Sequence, residues 1–272
     1  MLKKLGLIAL TLLFVDLGFA QNEDSAVYRQ FKVREVITKL RMPMMQSKDT
    51  CIYRIQKINE KGWLTEVSED NLCMGWNSKR VTNYTYDSLG RIVGVSITNN
   101  DKMETKLELK HDKYHRVVEE IYTWFEPFQN SSLSKTIYFG AGQNADSAVN
   151  ITYVDKDTFV RRSKNYYVGE KLVKSEERSD TSEKLTSMTV LKYNNQDQLI
   201  RFEFSNFEAF DQDQVTTYTY HEDGKVLRSE DVLYNTAAEF FYYKTGVPGV
   251  TFYYNKFGDL EREEFYQYKH YR

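Results

Sequence analysis

The chain of 272 residues is short of several residue types: it has only three prolines, two cysteines and four histidines. Scarce proline beside 21 tyrosines argues against a disordered chain and favours β-sheet. Four scattered histidines offer no Ser–His–Asp arrangement that could be argued from sequence. The formal net charge is only −2, with both signs interspersed, so no long-range field would recruit nucleic acid or an anionic membrane.

A long apolar run is also missing, except at the N-terminus. A basic start, an apolar run from Leu5 to Val15 and small residues up to Ala20 predict a signal peptide, residues 1–20, cleaved after Ala20. The run is too short for a bilayer, which needs about 20 residues, although an uncleaved membrane anchor is the alternative. No cysteine lies near the cleavage point, which argues against a lipid anchor. The Ala20–Gln21 junction resembles that of exported Bacteroidota proteins. We expect a secreted or periplasmic protein with no membrane span after cleavage.

The two cysteines, Cys51 and Cys73, are predicted to form a disulfide, since an exported chain with one cysteine pair usually oxidises it. In the chain-entropy view such a bridge stabilises by roughly 3 kcal/mol. The alternative is two buried thiols.

One turn-like pattern recurs seven times. The copies are "INEKGWL" at 58–64, "YDSLGRI" at 86–92, "HDKYHRV" at 111–117, "YVDKDTF" at 153–159, "YNNQDQL" at 193–199, "YHEDGKV" at 220–226 and "YNKFGDL" at 254–260. Their fifth position always holds a residue type that tolerates a positive φ: Gly62, Gly90, His115, Asp157, Asp197, Gly224 and Gly258.

This column predicts β-hairpins closed by a type I turn and a G1 bulge. Position two should cap the turn through its side chain, except at Val154 and His221; the capping residues are Asn59, Asp87, Asp112, Asn194 and Asn255. Positions one and seven should face each other, as in Tyr86 with Ile92. One face should then carry Tyr84, Leu109, Ile151, Leu191, Tyr218 and Phe252, and the other Lys110, Thr152, Lys192 and Thr219.

Uneven spacing leaves room for further hairpins, with one tip at Gly169–Glu170 and another within 242–254. The total is about fourteen strands. We predict an all-β fold, an antiparallel meander of tandem β-hairpins that forms a curved, solenoid-like or open-barrel sheet. No proline-rich linker divides residues 21–272, which are predicted to be a single domain.

The segments "YDSLGRI", "YHEDGKV" and "YNKFGDL" resemble the YD-repeat (Rhs-type) family of secreted bacterial proteins. The resemblance is partial in the other four copies, and family units are usually shorter and more regular. It implies exported binding and structural roles without one shared catalytic activity, and a sheet smaller than the large closed shell of long YD arrays.

Two segments lie outside this pattern. Residues 21–50 contain either a first strand (Phe31, Val33) or an amphipathic helix, and β-branched residues favour the strand. Residues 126–150 are rich in Ser, Asn and Gly and are expected to hold the longest loops.

Several motifs could carry chemistry. His111 and His115 have the spacing of a zinc-binding helix, whose flanks fit a 3.6-residue period, but Asp112 stands where the general-base Glu would be and no third ligand is marked. "GAGQNA" at 140–145 fits a dinucleotide fingerprint, yet the following strand leaves no room for a crossover helix and favours a hairpin tip. The pairs Asp155/Asp157 and Asp211/Asp213 supply too few oxygens for calcium. We therefore expect no metal and no cofactor.

The density of tyrosines suggests a binding role, because these rings combine a large apolar face with a hydroxyl. The expected function is non-catalytic binding of a polysaccharide or protein, through an aromatic face with these candidate residues: Tyr84, Tyr86, Tyr218, Tyr220, Tyr253 and Tyr254. The alternatives are a periplasmic carrier of an apolar lipid or lipoprotein ligand and a zinc-dependent enzyme using His111 and His115. An outer-membrane barrel is disfavoured by strand charges such as Arg201 and Glu203.

Overall fold

The structure is a computed structural model that describes residues 25–43, 50–125, 130–140, 142, 144–154, 156–180, 182–208 and 212–271. The predicted signal peptide, residues 1–20, lies outside the described residues. Within the described ranges, no helix is both long enough and apolar enough to cross a membrane.

The chain forms one antiparallel sheet of eighteen strands, more than the fourteen expected. A helical turn spans 25–30, and a short 3₁₀ helix spans Asn71–Met74. The strands are β1 (Val33–Arg41), β2 (Cys51–Ile58), β3 (Leu64–Asp70), β4 (Lys79–Tyr86), β5 (Ile92–Asn99), β6 (Lys102–His111), β7 (Val117–Trp124), β8 (Asn130–Phe139), β9 (Ser147–Val154), β10 (Asp157–Val168), β11 (Lys171–Ser179), β12 (Leu185–Tyr193), β13 (Leu199–Asn206), β14 (Gln214–Tyr220), β15 (Val226–Asp231), β16 (Thr236–Tyr242), β17 (Pro248–Tyr254) and β18 (Leu260–His270).

The predicted antiparallel meander is confirmed. The sheet closes on itself into a barrel, so the predicted open or solenoid-like form is wrong. Every strand pairs with its neighbours in sequence, and β1 also pairs with β18 over Val33–Arg41. We call the β1–β18 pairing the seam, and residues in and beside these two strands add contacts across it. Lys269 forms a 2.6 Å ion pair with Glu35, and the Tyr271 amide donates to the Lys32 carbonyl at 2.7 Å. Closure removes both sheet edges, which would otherwise expose unpaired backbone groups.

Burial identifies the two faces of the barrel. In β6, Thr105, Leu107 and Leu109 are buried, whereas the alternating Lys106 and Glu108 are exposed. Side chains of a closed barrel alternate between interior and exterior, so we take the buried set, and the residues that pair directly across from it around the barrel, as the inner face. The alternate set is the outer face.

Six of the seven predicted turns have the expected geometry. Their fifth residues have φ between 68° and 87°, and each donates its amide to the carbonyl of position two; they are Gly62, Gly90, His115, Asp197, Gly224 and Gly258. All five predicted capping side chains accept hydrogen bonds from their own turns, as Asp87 does from Leu89 (2.9 Å) and Arg91 (3.0 Å). Tyr86 faces Ile92 beside a bulge, as the pattern requires.

The fourth copy is a wrong prediction. Asp157 is the first residue of β10 and pairs directly with Val154, so it belongs to the strand and not to the turn. The additional hairpins were correct: Gly169 has φ of 62° between β10 and β11, and Tyr243–Val247 forms a turn of the same class as the six others.

The expected common face is only partly correct. Six turns of this class, those after β2, β4, β6, β12, β14 and β16, lie at one end of the barrel, which we call the repeat end; the turn at 255–259 lies at the opposite end. A turn of this class fixes the twist of the hairpin that it closes. When the same turn lies at the opposite end of the barrel, the first residue of the motif therefore points to the opposite face of the sheet. Tyr84, Leu109, Leu191 and Tyr218 accordingly line the inner face, whereas Ile151 and Phe252 lie on the outer face, and Thr152 points inward.

Two further segments differ from expectation. Residues 25–30 are helical and 33–41 form a strand, so the N-terminal segment contains both elements. Residues 126–150 are not mainly loop, because β8 spans Asn130–Phe139. Its inner positions Ser134 and Thr136 face Thr152 and Asn150 inside the barrel, and this polar composition was mistaken for a loop signal.

Candidate functional site

Hydroxyl and carboxamide groups line the inner face of β8 and β9. The Ser134 and Thr152 hydroxyls are 2.9 Å apart, and the Asn150 amide donates to the Thr136 hydroxyl at 3.0 Å. Thr152 donates in turn to the Asn150 side-chain oxygen at 2.8 Å. These groups satisfy one another in a connected network, which stabilises a polar wall inside the barrel.

The inner face of β7, next to this wall, carries Glu120, Tyr122 and Trp124 at successive inward positions. We call these three residues the β7 group. The Tyr122 and Trp124 rings have centroids 4.2 Å apart and are tilted by 51°. Ser134, Ser132 and Asn130 of β8 lie directly opposite the three residues on one side. On the other side their partners are the β6 residues Leu109, Leu107 and Thr105.

The polar atoms of the β7 group are unused within the described part of the chain: the Tyr122 hydroxyl, the Trp124 indole N–H and the Glu120 carboxyl make no hydrogen bond there. All three side chains are half-buried, and their polar atoms are not sealed from solvent. Polar atoms that reach solvent can bond to water in the free protein, and a ligand can take the place of that water, so we take this group as the candidate for ligand contact on the inner face.

Several other inward tyrosines differ from Tyr122, because their hydroxyls donate to backbone carbonyls. Tyr86 donates to the Leu64 carbonyl at 2.7 Å, and Tyr220 donates to the Leu199 carbonyl at 2.6 Å. Each bond joins a hairpin to the hairpin before it. Such tyrosines hold the barrel together.

Burial shapes the electrostatics around Glu120. Burial raises the pKa of the Glu120 carboxyl above its ordinary value of 4.5. Burial, helped by the charge of Glu120, also raises the pKa of Tyr138 to about 12. The Tyr138 hydroxyl donates to the Val117 carbonyl at 2.9 Å. Glu120 is therefore a carboxyl in a poorly solvated place without a neutralising partner.

The structure places five of the six predicted aromatic residues on the inner face, but on the separate strands β4, β14 and β17. Tyr84, Tyr86, Tyr218, Tyr220 and Tyr253 are on the inner face, through pairs such as Tyr84 with Val95 and Tyr253 with Ala238. The sixth, Tyr254, is a wrong prediction: it lies on the outer face, where its hydroxyl donates to Glu239 at 3.0 Å.

Tyr253 belongs to a charged cluster at the seam. Tyr266 donates to the buried Glu264 carboxylate at 2.9 Å, and Arg262 lies 3.8 Å above the Tyr253 ring. Close by, Arg54 donates to Glu69 at 2.9 Å. Burial and the charge of Glu264 raise the pKa of Tyr266, which keeps this hydroxyl protonated. The two arginines and the two glutamates of this cluster neutralise one another, so we assign the cluster a structural role where β18 closes the barrel against β1.

The histidine pair is not on a helix, so the helical placement of His111 and His115 is wrong. His111 ends β6 and His115 occupies the left-handed turn position, with φ of 68°. In the described ranges no three His, Cys, Asp or Glu side chains could hold a metal together. Burial, with the nearby Arg91 charge, lowers the pKa of His111.

The remaining motif predictions fall in links between strands. Gly140 and Gly142 have φ of 105° and 84° in the connection from β8 to β9, which is a hairpin link as expected. Asp155 and Asp211 lie outside the described residues. So does the side chain of Cys73, and the disulfide with Cys51 stays a prediction.

Sequence reasoning missed the β7 group, although a signal was present. In "VVEEIYTW" the residues Glu120, Tyr122 and Trp124 alternate with Glu119, Ile121 and Thr123 at the period of a strand. The helical reading of the histidine pair took the same segment for a 3.6-residue period and so hid the alternation.

No protein-family model and no curated protein matches the sequence. Among solved structures, the fold is similar to a porin-like protein from Bacteroides uniformis, with 10% identity and a TM-score of 0.46 over 87% of this chain and 98% of that one. It is also similar to a porin-like protein from Bacteroides vulgatus, with 11% identity and a TM-score of 0.37 over 70% of this chain and 93% of that one. A third likeness is to a Photorhabdus luminescens Tc holotoxin pore, with 10% identity and a TM-score of 0.35 over 84% of this chain and 15% of that one. With TM-scores of 0.46 or less, the site described above rests on the chain's own contacts alone.

Proposed function

We propose that the protein is an exported, non-catalytic barrel that binds a polysaccharide along its inner face, with the β7 group as the principal contact. The observation that carries the proposal is the pairing of Tyr122 and Trp124, 4.2 Å apart, with polar atoms that no described residue uses. The predicted signal peptide and the resemblance to YD-repeat proteins agree with an exported binding role.

The chemistry of a sugar suits this surface. Sugar rings have apolar C–H faces that stack on aromatic rings, and hydroxyls that exchange hydrogen bonds with polar side chains. The β7 group offers the rings, and the Ser132–Ser134 stretch beside it offers hydroxyls. Closed barrels of 16–18 strands are generally too wide for side chains to fill, so an eighteen-stranded barrel has room for an extended ligand.

The lipid-carrier alternative fits less well. An acyl chain would need an aliphatic inner wall, because polar groups that lose water without gaining a partner cost free energy. The inner wall of β8 and β9 instead presents Ser134, Thr136, Asn150 and Thr152.

An outer-membrane location also fits poorly with the outer face. Arg201 and Glu203 point outward and pair at 2.5 Å, and Arg228 pairs with Glu239 at 2.6 Å. Lipid-facing charges on barrel strands are destabilising by about 2–4 kcal/mol at the bilayer midplane for Arg and Lys. These outward ion pairs favour an outer face in contact with water over one in contact with lipid.

The direct test is calorimetric titration of the purified protein with soluble oligosaccharides of several compositions. Trp124→Ala should weaken binding by about fivefold or more, if a sugar ring stacks on this side chain with the roughly 1–3 kcal/mol that a nucleic-acid base gains on an aromatic ring. Phe139→Ala is the matched control, because Phe139 is an outer-face aromatic that is 51% exposed. Equal affinities of the wild type and Trp124→Ala would refute the inner-face site.

The same control variant addresses a protein partner, the other class expected from the sequence. Phe139 and Ile137 lie side by side on the outer face of β8, where they are 51% and 52% exposed. Tyr153 of β9, 40% exposed, lies on the same face near the other end of β8. Loss of a partner protein on Phe139→Ala, with oligosaccharide binding absent, would move the function to that outer surface.

A further inference from the structure

No residue of opposite charge lies directly across from Glu120 on either neighbouring strand. The residues directly across from the β7 group are Thr105, Leu107 and Leu109 of β6 and Asn130, Ser132 and Ser134 of β8, and none of these is charged. A half-buried carboxylate without a cation or a hydrogen bond is costly. The carboxyl lies on the same strand face as Tyr122 and Trp124, whose polar atoms make no hydrogen bond to a described residue.

Other titratable groups near Glu120 do not neutralise it. From β8, Tyr138 bonds to the backbone, and from β6, the inward His111 has a pKa lowered by burial. At the adjacent turn, Arg116 is already engaged with Asp112 at 2.7 Å. Lys110 and Lys135 belong to the same two neighbouring strands but point to the outer face, where Lys110 pairs with Glu119 at 2.5 Å.

We propose that the bound polysaccharide carries free amino groups, one of which pairs as an ammonium ion with Glu120 beside the rings of Tyr122 and Trp124. This inference rests on the proposed function and names its ligand class. An ammonium group would supply the missing opposite charge as a charge-assisted hydrogen bond. The two aromatic rings, 4.2 Å apart, would add attraction between the cation and their faces.

The experiment compares three β-1,4-linked hexasaccharides of glucosamine, N-acetylglucosamine and glucose. Titrations are run at about pH 6, below the ordinary pKa of an α-amino group. The wild type should bind the glucosamine hexamer about tenfold more tightly than the other two, a difference of about 1.4 kcal/mol. Glu120→Gln should reduce this preference to less than about threefold.

Glu119→Gln is the matched control. It alters the neighbouring carboxyl, which points outward and pairs with Lys110, and it should keep the full preference for the amino sugar. Circular dichroism of each variant checks that the barrel is folded, and Glu120→Asp supplies a second test if Glu120→Gln does not fold. Glu120→Asp keeps the charge and should retain the preference for glucosamine.

The outcomes separate this inference from the proposed function. If all three hexamers bind equally and Trp124→Ala weakens all of them, the inner-face site stands and the amino-group inference is overturned. If none of them binds, the amino-group inference is overturned, and the titrations with oligosaccharides of other compositions decide the proposed function. A preference for glucosamine that survives Glu120→Gln would also overturn the role of Glu120.

Discussion

The phenolic hydroxyl of Tyr86 donates a hydrogen bond of 2.7 Å to the main-chain carbonyl oxygen of Leu64, in the preceding hairpin. Tyr193 and Tyr220 make the same kind of bond, at 3.1 and 2.6 Å, to Leu172 and Leu199. The first position of the recurring motif thus does more than face its own partner across the turn. Where it is one of these three tyrosines, it joins its hairpin to the hairpin before it at the repeat end of the barrel.

We predict that Tyr86→Phe destabilises the protein by about 1 kcal/mol, because it removes one hydrogen bond and leaves the Leu64 carbonyl without this donor. Tyr220→Phe should cost a similar amount. Thermal unfolding followed by circular dichroism measures both. Tyr153→Phe, on the outer face where this ring is 40% exposed, should change the stability little. Equal losses in all three variants would show that the hydroxyls do not act as inter-hairpin ties.

The left-handed turn position supports a second prediction, which compares two glycines with the same backbone conformation. Gly90 and Gly258 both have φ of 82°, but an added Cβ at Gly90 would lie 2.7 Å from the Trp63 ring, whereas nothing lies within 4 Å at Gly258. Gly258→Ala should cost only backbone strain, about 1–2 kcal/mol. Gly90→Ala should cost about 1–3 kcal/mol more, because the Trp63 ring is packed against Tyr86 and must shift.

Chemical denaturation of the two variants provides the measurement. A smaller loss for Gly90→Ala than for Gly258→Ala would mean that Trp63 moves aside freely. In that case its contact with Tyr86, with ring centroids 5.1 Å apart, would not be a packing constraint.

A third prediction concerns the disulfide between Cys51 and Cys73. Peptide mapping of the unreduced protein should recover the two cysteines in one linked peptide pair. Reduction should lower the stability by roughly 3 kcal/mol. Alkylation of both cysteines in the unfolded, unreduced protein would instead support the alternative of two buried thiols.

The hairpin turns could be predicted from sequence because each depends on a few adjacent residues. A positive φ requires Gly, or an Asn, Asp or His that tolerates it, and the capping oxygen must come from position two. The turn predicted at Asp157 was wrong, because composition alone does not fix where a loop ends. Asp157 is already part of β10 and pairs with Val154.

Closure and the site could not be predicted in this way. The pairing of β1 with β18 joins Val33 to His270, across almost the whole described chain, and no local pattern encodes that contact. The polar wall of β8 and β9 reads as loop in the sequence, because serines and asparagines that line an interior look like those of a solvated connection. The β7 group became recognisable only once Glu120 and its uncharged neighbours had been placed on one face.

The raised pKa of Glu120 gives a fourth prediction, on the pH dependence of stability. Burial raises the pKa of this carboxyl above 4.5 in the folded protein, while the unfolded chain keeps the ordinary value. Between the two values the folded state holds more protons than the unfolded state, so the free energy of unfolding must fall as pH rises through this window. The slope is at most about 1.4 kcal/mol per pH unit. Relative to Glu120→Gln, the wild type should therefore have its highest free energy of unfolding at a pH below the ordinary pKa. This difference should be lost as the pH rises through the raised pKa of Glu120.

Glu119 provides a control of opposite sign on the same strand. Its hydrogen bond and ion pair with Lys110 lower the pKa of Glu119, so the contribution of this carboxyl is present above the ordinary pKa and lost as the pH falls below it. Urea unfolding of wild type, Glu120→Gln and Glu119→Gln across the acidic range should give difference curves that slope in opposite directions. Parallel curves for the two variants would show that Glu120 is solvated as well as Glu119 is, and would remove the physical basis for treating it as a buried, unneutralised carboxyl.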